Sequence, residues 1–216
     1  MRNLILVLIF ICLFVFVAVC ANATQVNMGV SIGEEGLRGF YLAVGDYYRV
    51  PEREVIIIRE RRIPDEEIPV VLFIAARARV APSVVIDLRL GGRSWMDITL
   101  HFKLNPEIYY VPVKAEVKGP PYGKAYGYYK KRPKEEWRKI VLSNDEIINL
   151  VNLRFISEYH HCAPEDVIRM RADGKNFVVI NDEVKKGKAK EKEKGPKEND
   201  KGPKENGKGK GKGKGN

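Results

Sequence analysis

Cysteine is scarce in this chain of 216 residues, which contains only three. Cys12 and Cys20 lie in the apolar N-terminal segment, so Cys162 stands alone in the rest of the sequence. A single cysteine cannot form an internal disulfide. The fold must therefore be stabilised by its hydrophobic core.

Motifs typical of enzymes are also missing. The sequence contains no phosphate-binding P-loop, no Gly-x-Ser-x-Gly nucleophile turn and no Gly-x-Gly-x-x-Gly dinucleotide pattern. Its acidic residues are scattered, with no pair whose spacing indicates a general acid and a general base. We therefore predict a protein that is not an enzyme, with no catalytic residue and no cofactor.

Histidine occurs three times, and His160-His161-Cys162 is the one group that resembles a metal site or a Cys–His nucleophile. Three consecutive residues at a helix end cannot all point to one site, so we predict no metal ion here. His160 and His161 are predicted to face water at a helix C-terminus, where positive charge is favoured, and Cys162 to pack in the following turn. Metal binding and nucleophilic catalysis are the alternatives.

A long apolar run occurs only near the N-terminus, where residues 4–19 follow a single positive charge at Arg2. Ala21-Asn22-Ala23 supplies the small residues of a cleavage site, so residues 1–23 are predicted to be a secretory signal peptide. An uncleaved membrane anchor is the first alternative, because the run is nearly long enough to span a bilayer, and a lipoprotein signal at Cys20 is the second. In each case we expect export, to the periplasm or the cell surface.

An internal match organises the rest of the chain, because residues 81–98 recur at 163–180. The matched positions are Ala81 with Ala163, Pro82 with Pro164, Val85 with Val167, Ile86 with Ile168, Arg89 with Arg171, Gly92 with Gly174, Trp95 with Phe177 and Ile98 with Ile180. A poorer third copy begins at Pro51. A unit that recurs in this way normally packs its apolar face against its neighbour.

Each copy predicts a helix, a tight turn and a second helix that ends at a glycine. The two matched prolines suit the first position of a helix, and Gly92 and Gly174 lie where a left-handed C-cap is needed. Ser94 and Ser143 each precede an acidic residue by three positions, which is the signature of a capping box. We therefore predict an all-α fold of repeated tri-helical, helix-turn-helix-like modules. Residues 24–113 contain one degenerate and one clear copy, and residues 140–184 contain the second clear copy.

Between the modules, residues 114–139 are rich in Tyr, Lys, Pro and Gly, which predicts an irregular linker. Residues 118–139 contain eight basic and two acidic residues. Aromatic rings can stack on bases or sugars while cations meet phosphate or carboxylate groups. The predicted polyanion-binding residues are therefore Lys124, Lys130, Lys131, Arg132, Tyr126, Tyr128 and Tyr129. The alternative is structural, with the tyrosines packing over the seam between the two modules.

The net charge of +10 is concentrated at the C-terminal end, where residues 185–216 contain 13 lysines and five acidic residues. Residues 24–184 are nearly neutral, with 24 basic and 23 acidic residues. The Lys/Gly-rich composition predicts a disordered tail that is drawn to anionic surfaces such as lipid head groups, cell-wall polymers or nucleic acid. A tail that only maintains solubility is the alternative.

Residues 74–88 resemble a helix-turn-helix, with Ala75 at the close-packing position, Val80 in the turn and Val85 on the buried side. Arg79 stands where that family has glycine. Acidic residues at the helix starts and few hydrogen-bond donors in residues 83–90 disfavour base recognition, so sequence-specific DNA binding is not predicted.

A wider resemblance covers residues 37–184. The segments Tyr47 to Val55 and Gly119 to Tyr129, together with the Pro-x-x-Val-Ile modules, are similar to those of exported bacterial proteins of no known function. The resemblance therefore implies export and repeated helical modules, but no activity.

These features together predict a non-enzymatic exported binding or structural protein that attaches to anionic envelope components through residues 118–139 and 185–214. The expected partners are anionic polymers or lipid head groups, with a protein partner as a further option. The alternative function is nucleic-acid binding through the helix-turn-helix-like modules, which would use Arg89 and Arg171. The structural interpretation places both arginines on the exposed flank of a core helix.

Overall fold

The computed structural model describes residues 33–193, so the predicted signal peptide and residues 194–216 lie outside the described part. This part contains nine α-helices and no strand, which confirms the all-α prediction. The helices are α1 (Glu34–Tyr48), α2 (Glu52–Glu60), α3 (Ile68–Ala78), α4 (Pro82–Leu90), α5 (Trp95–His101), α6 (Gly123–Lys130), α7 (Asn144–His160), α8 (Pro164–Ala172) and α9 (Phe177–Glu193). Short 3₁₀ segments lie at Asp65–Glu67, Pro106–Tyr109 and Lys134–Lys139. No helix within residues 33–193 is both long and apolar enough to cross a bilayer.

Helix α3 lies at the centre of the molecule. Every residue from Ile68 to Ala75 is buried, as expected of a helix that is apolar on all sides. It packs against α7, the long helix of the later sequence copy, and against α4. Buried residues of both predicted modules, such as Val85 and Val167, belong to the same hydrophobic core.

The two matched segments have the same local geometry. Helices α4 and α8 both begin at the matched prolines, and the glycines that follow them, Gly92 and Gly174, have φ of 87° and 88°. The helices before them end in left-handed residues, Arg79 with φ of 58° and His161 with φ of 50°. A side-chain-bearing residue therefore adopts the turn conformation for which the helix-turn-helix family uses glycine, at a cost of about 1 kcal/mol.

Both predicted capping boxes are present. The Ser94 hydroxyl accepts a hydrogen bond from the Asp97 backbone N–H, and the Ser143 hydroxyl accepts one from Glu146. The Asn144 side chain also accepts a 2.8 Å bond from the backbone N–H of Trp95, which ties the start of α5 to the start of α7. These contacts satisfy N–H groups that a helix start otherwise leaves unpaired.

The linker at residues 114–139 is more regular than its composition predicts, because it contains α6. Ala125, Tyr126 and Tyr129 lie on one face of this helix and are all buried, so tertiary packing outweighs the weak helix propensity of glycine and tyrosine. Gly123 begins the helix against the backbone of Lys118, where an added Cβ would lie 3.0 Å from the carbonyl carbon. Only glycine allows this approach without a shift of the backbone.

The predicted start of the disordered tail at Lys185 is wrong, because α9 continues to Glu193. Lysine, alanine and glutamate are good helix formers, and the Lys186 ammonium pairs with Asp182 one turn earlier at 2.7 Å. Residues 194–216, which carry the rest of the predicted tail, lie outside the described residues.

The 3₁₀ segment Asp65–Glu67 holds arginines from three different helices. Asp65 pairs with Arg59 at 3.6 Å. Glu66 pairs with Arg171 at 3.3 Å, and Glu67 pairs with Arg89 at 2.8 Å. These arginines belong to α2, α8 and α4. The segment therefore cross-links three helices that lie far apart in the sequence.

Arg89 and Arg171 are not on an exposed flank, so that prediction is wrong. The Arg89 guanidinium donates two hydrogen bonds to Glu67, one to the carbonyl of Arg93, and lies 4.7 Å from the ring of Trp95. Arg171 is placed similarly: it donates one bond to Glu66, one to the side chain of Asn149 and one to the carbonyl of Lys175, and it lies 4.6 Å from the ring of Phe177. Each arginine lies one position away from the buried stripe of its helix, so its side chain points towards a neighbouring element instead of water. Sequence periodicity alone does not show which element that is.

Candidate functional site

An open cleft of about 950 Å³ lies between residues 113–119 and α6. Its floor is aromatic, its rim carries lysines, and it falls within and beside the predicted basic linker. The residues that line it come from a non-helical wall (113–119), from α6 and the following residue Lys131, and from Tyr110 and Trp137 below.

Tyr110 and Trp137 form the open part of the floor. Both rings are half-buried, and their centroids lie 4.6 Å apart with an angle of 48° between the ring planes. The Trp137 indole N–H donates to the carbonyls of Tyr129 and Arg132, each at 3.1 Å. The ring is thereby fixed in place before any ligand arrives.

Tyr126 and Tyr129 support this floor from within. They are only 8% and 2% exposed, and their hydroxyls donate to the backbone carbonyls of Val111 at 2.8 Å and Pro106 at 2.7 Å. Burial raises the pKa of both phenols above the ordinary value. Burial and the bonded hydroxyls therefore favour a packing role for these two tyrosines over stacking on a ligand.

Glycine keeps the α6 wall open. Gly127 lines the cleft in the middle of the helix, and a Cβ added there would meet no atom within 4 Å. A side chain at this position would enter the cleft instead of striking the protein. The helix therefore presents its backbone to the cleft at this point.

The predicted cations divide into two groups. Lys130 and Lys131 line the cleft, whereas Lys124 and Arg132 are exposed but do not line it. Tyr128 is half-buried outside the cleft, with the Lys124 ammonium 5.9 Å from its ring centroid.

The predicted binding residues do not include Lys118 and Trp137, although both lie in the predicted basic segment 118–139. Lys114 and Tyr110, which also line the cleft, lie outside that segment. These residues are lysines and aromatics, like the predicted binding residues, but only the fold shows that residues 113–119 run alongside α6. The spacing of the two walls along the chain follows no regular period that would predict their contact.

Glu116 belongs to the non-helical wall, and its carboxylate lies between one lysine of each wall. Its carboxylate oxygens accept from the Lys130 ammonium at 2.7 Å and from the Lys118 ammonium at 2.9 Å. Hydrogen bonds from Lys130 and then Lys118 lower the pKa of this carboxyl to about 2. The carboxylate is therefore ionised throughout the physiological pH range.

Glu165, at the start of α8, fixes the non-helical wall. Its side chain accepts hydrogen bonds from the backbone N–H groups of Lys114 and Ala115. The bond from Lys114 lowers the pKa of Glu165. This carboxylate thus holds the wall from outside the cleft, and the wall carries its lysines into position.

The His160-His161-Cys162 group is not arranged as a reactive centre. His160 is buried, contrary to the prediction, and its Nε2 lies 2.8 Å from the side-chain oxygen of Asn181, while His161 is exposed as predicted. Cys162 is half-buried and burial raises its pKa, which disfavours the nucleophilic thiolate. Within residues 33–193, no three His, Cys, Asp or Glu side chains are placed to hold a metal ion.

No protein-family model matches the chain, and comparisons with curated proteins and with solved structures found no match. The site must therefore be interpreted from its own chemistry. A fixed aromatic floor with cations on both walls is suited to binding an anionic, ring-containing ligand.

Proposed function

We propose that this protein is a non-enzymatic exported binding protein that attaches to an anionic polymer of the cell envelope through the cleft between residues 113–119 and α6. The observation that carries the proposal is the combination of an open aromatic floor, at Tyr110 and Trp137, with lysines on both walls. The aromatic floor would accept a ring of the polymer, and the lysines would accept its negative charges.

The charge around the cleft supports this proposal. Residues 114–134 contain seven basic residues and a single acidic one, whereas residues 24–184 as a whole are nearly neutral. A local positive field in an otherwise neutral body attracts polyanions to that face. Attraction of this kind weakens as salt is added.

The lysine-rich C-terminal part would add to the attachment. Helix α9 contains several lysines from residue 185 onwards, after its packed first turns, and the sequence that follows it contains further lysines up to residue 214. A cleft and a polycationic segment on one chain act together on a polymer long enough to reach both, which raises the overall affinity.

Nucleic-acid binding through the helix-turn-helix-like modules is the second candidate, and the contacts of its expected residues disfavour it. The guanidinium groups of Arg89 and Arg171 are engaged with Glu67 and Glu66, and each also lies over an aromatic ring. Reading a base or a phosphate would require these contacts to break.

The test uses Gly127→Leu in the full chain, which fills the cleft without a backbone clash. Gly39→Leu is the matched control, since Gly39 also lies within a helix and a Cβ there meets no atom within 4 Å. Binding to heparin and to vesicles with acidic lipid would be measured across a salt series. A third protein, ending at Glu193, would measure the share contributed by residues 194–216.

We expect Gly127→Leu to weaken heparin binding about tenfold or more, since it removes access to the floor, and Gly39→Leu to leave it unchanged. Equal binding by both variants would reject the cleft as the attachment site. Binding that disappears only in the protein ending at Glu193 would assign attachment to the tail alone.

A further inference from the structure

Two lysines from opposite walls of the cleft converge on one carboxylate. Lys118 belongs to the non-helical wall and Lys130 to α6, and each ammonium contacts a different oxygen of Glu116, at 2.9 and 2.7 Å. The two ammonium groups are therefore spaced to contact a single carboxylate group at the same time, and we call this lysine pair the clamp. The side chain of Glu116 shows that a carboxylate fits between them.

The clamp is also open to exchange. The side chains of Lys118, Glu116 and Lys130 are 77%, 52% and 72% exposed, so water screens the ion pairs and each contributes little to stability. When one ring of a polymer is bound on the floor, the charged groups attached to that ring are held close to these lysines. Their local concentration there is therefore high. Such a ligand can replace Glu116 without a large cost to the fold.

We infer that Lys118 and Lys130 form the anion subsite of the cleft, that Glu116 occupies it as an internal competitor, and that the ligand group it admits is a carboxylate carried by a sugar polymer. This inference rests on the proposed function, because it names the ligand class and a means of regulation for the same cleft. It goes further by assigning the subsite to a lysine pair of which only Lys130 belongs to the predicted binding residues.

The cations of the cleft are of one type. All four that line it, Lys114, Lys118, Lys130 and Lys131, are lysines. An ammonium group pairs with a carboxylate as readily as with a phosphate, so it is Glu116, the group that Lys118 and Lys130 already hold, that favours a carboxylate.

The floor favours a sugar as the carrier of that carboxylate. The planes of Tyr110 and Trp137 are tilted by 48°, and the Lys134 ammonium lies 5.8 Å from the Trp137 ring centroid. A flat base stacks best on one open parallel face. The tilted pair is better suited to the puckered, non-planar face of a sugar ring.

Glu116→Gln tests the competitor directly, because it removes the charge and keeps the shape. Glu135→Gln is the matched control, since Glu135 is exposed, lies outside the cleft and changes the net charge by the same amount. Affinity for a polygalacturonate oligomer, which carries one carboxylate per sugar, would be measured in the full chain, with single-stranded DNA as the phosphate polymer. The same substitution would be repeated in a Lys118→Gln/Lys130→Gln background.

We expect Glu116→Gln to bind the polygalacturonate oligomer about threefold more tightly than wild type, the scale of one exposed ion pair, and Glu135→Gln to change the affinity less. The gain should vanish in the Lys118→Gln/Lys130→Gln background, since the two lysines through which Glu116 acts are then gone.

Three results would overturn the inference. If Glu116→Gln gains no more than Glu135→Gln, or keeps its gain without the two lysines, Glu116 is not a competitor at this subsite. If the gain appears for single-stranded DNA and not for polygalacturonate, the carboxylate class is wrong. The proposed function fails separately, if Gly127→Leu binds both heparin and the oligomer as tightly as Gly39→Leu does.

Discussion

Replacing Arg89 by alanine is expected to destabilise the protein substantially. The substitution removes two hydrogen bonds to Glu67, of 2.9 and 2.8 Å, and leaves that carboxylate, whose side chain is only 11% exposed, without its cation. It also removes the guanidinium from the face of Trp95. Deleting one partner of a fully buried ion pair costs about 3–5 kcal/mol.

The side chain of Arg89 is itself 20% exposed, so water can partly replace it, and we expect a loss of about 2–3 kcal/mol. For a chain of this size such a loss lowers the melting temperature by roughly 5–10 °C. Urea unfolding followed by circular dichroism would measure it. Arg89→Lys should lie in between, because lysine keeps the charge but not the planar fork.

Arg61→Ala is the control, because it removes an exposed ion pair whose N–O distance is the same as that between Arg89 and Glu67. Arg61 donates a 2.8 Å bond to Asp87, but the two side chains are 46% and 66% exposed, so we expect a loss below about 0.5 kcal/mol. If Arg89→Ala destabilises the protein no more than Arg61→Ala, the guanidinium is not part of the core, and it becomes available for the nucleic-acid alternative.

The remaining predictions concern the glycines of α1 and the buried histidine. Gly45→Ala should destabilise the protein by about 1–3 kcal/mol, because the new Cβ would lie 2.9 Å from the carbonyl oxygen of Val50. Gly39→Ala should stabilise it by up to about 1 kcal/mol, because a Cβ there meets no atom within 4 Å and alanine is the better helix former. Urea unfolding would measure both changes in the free energy of unfolding. Burial, reinforced by nearby lysines, lowers the pKa of His160 below its ordinary value of 6.5, so its neutral form contributes stability that is present above pH 6.5 and lost as the pH falls towards the folded-state pKa. Between pH 7.5 and 5, His160→Gln should therefore lose less stability than wild type, while His161→Gln should follow wild type; parallel losses in all three proteins would contradict this assignment.

Much of the helical framework could be predicted from local signals. A proline at a helix start, a serine three residues before an acid, and a glycine in the left-handed region each act within a few residues. These features were correct at Pro82, Ser143 and Gly174. The predicted tail boundary at Lys185 is wrong because lysine and alanine in residues 185–193 have high helix propensity, which lets α9 continue to Glu193.

The candidate site could be predicted only in part. Charge and aromatic content point to the segment that contains part of the cleft, including its lining residues Lys130 and Lys131, but the pattern cannot tell which tyrosines are buried in the core. That distinction depends on where a phenol finds a backbone carbonyl, as Tyr126 does at Val111. It is decided by contacts between residues far apart in sequence.

The sequence by itself determined the all-α class, the matched helix pairs and the separation of a neutral body from a basic end, because propensity, capping and charge are local properties. The tertiary structure alone decided that residues 113–119 face α6, that Glu116 lies between two lysines, and that Glu66 and Glu67 hold Arg171 and Arg89. These contacts arise when the core closes around α3. Residues distant in the chain then become neighbours, which no periodicity along the chain can encode.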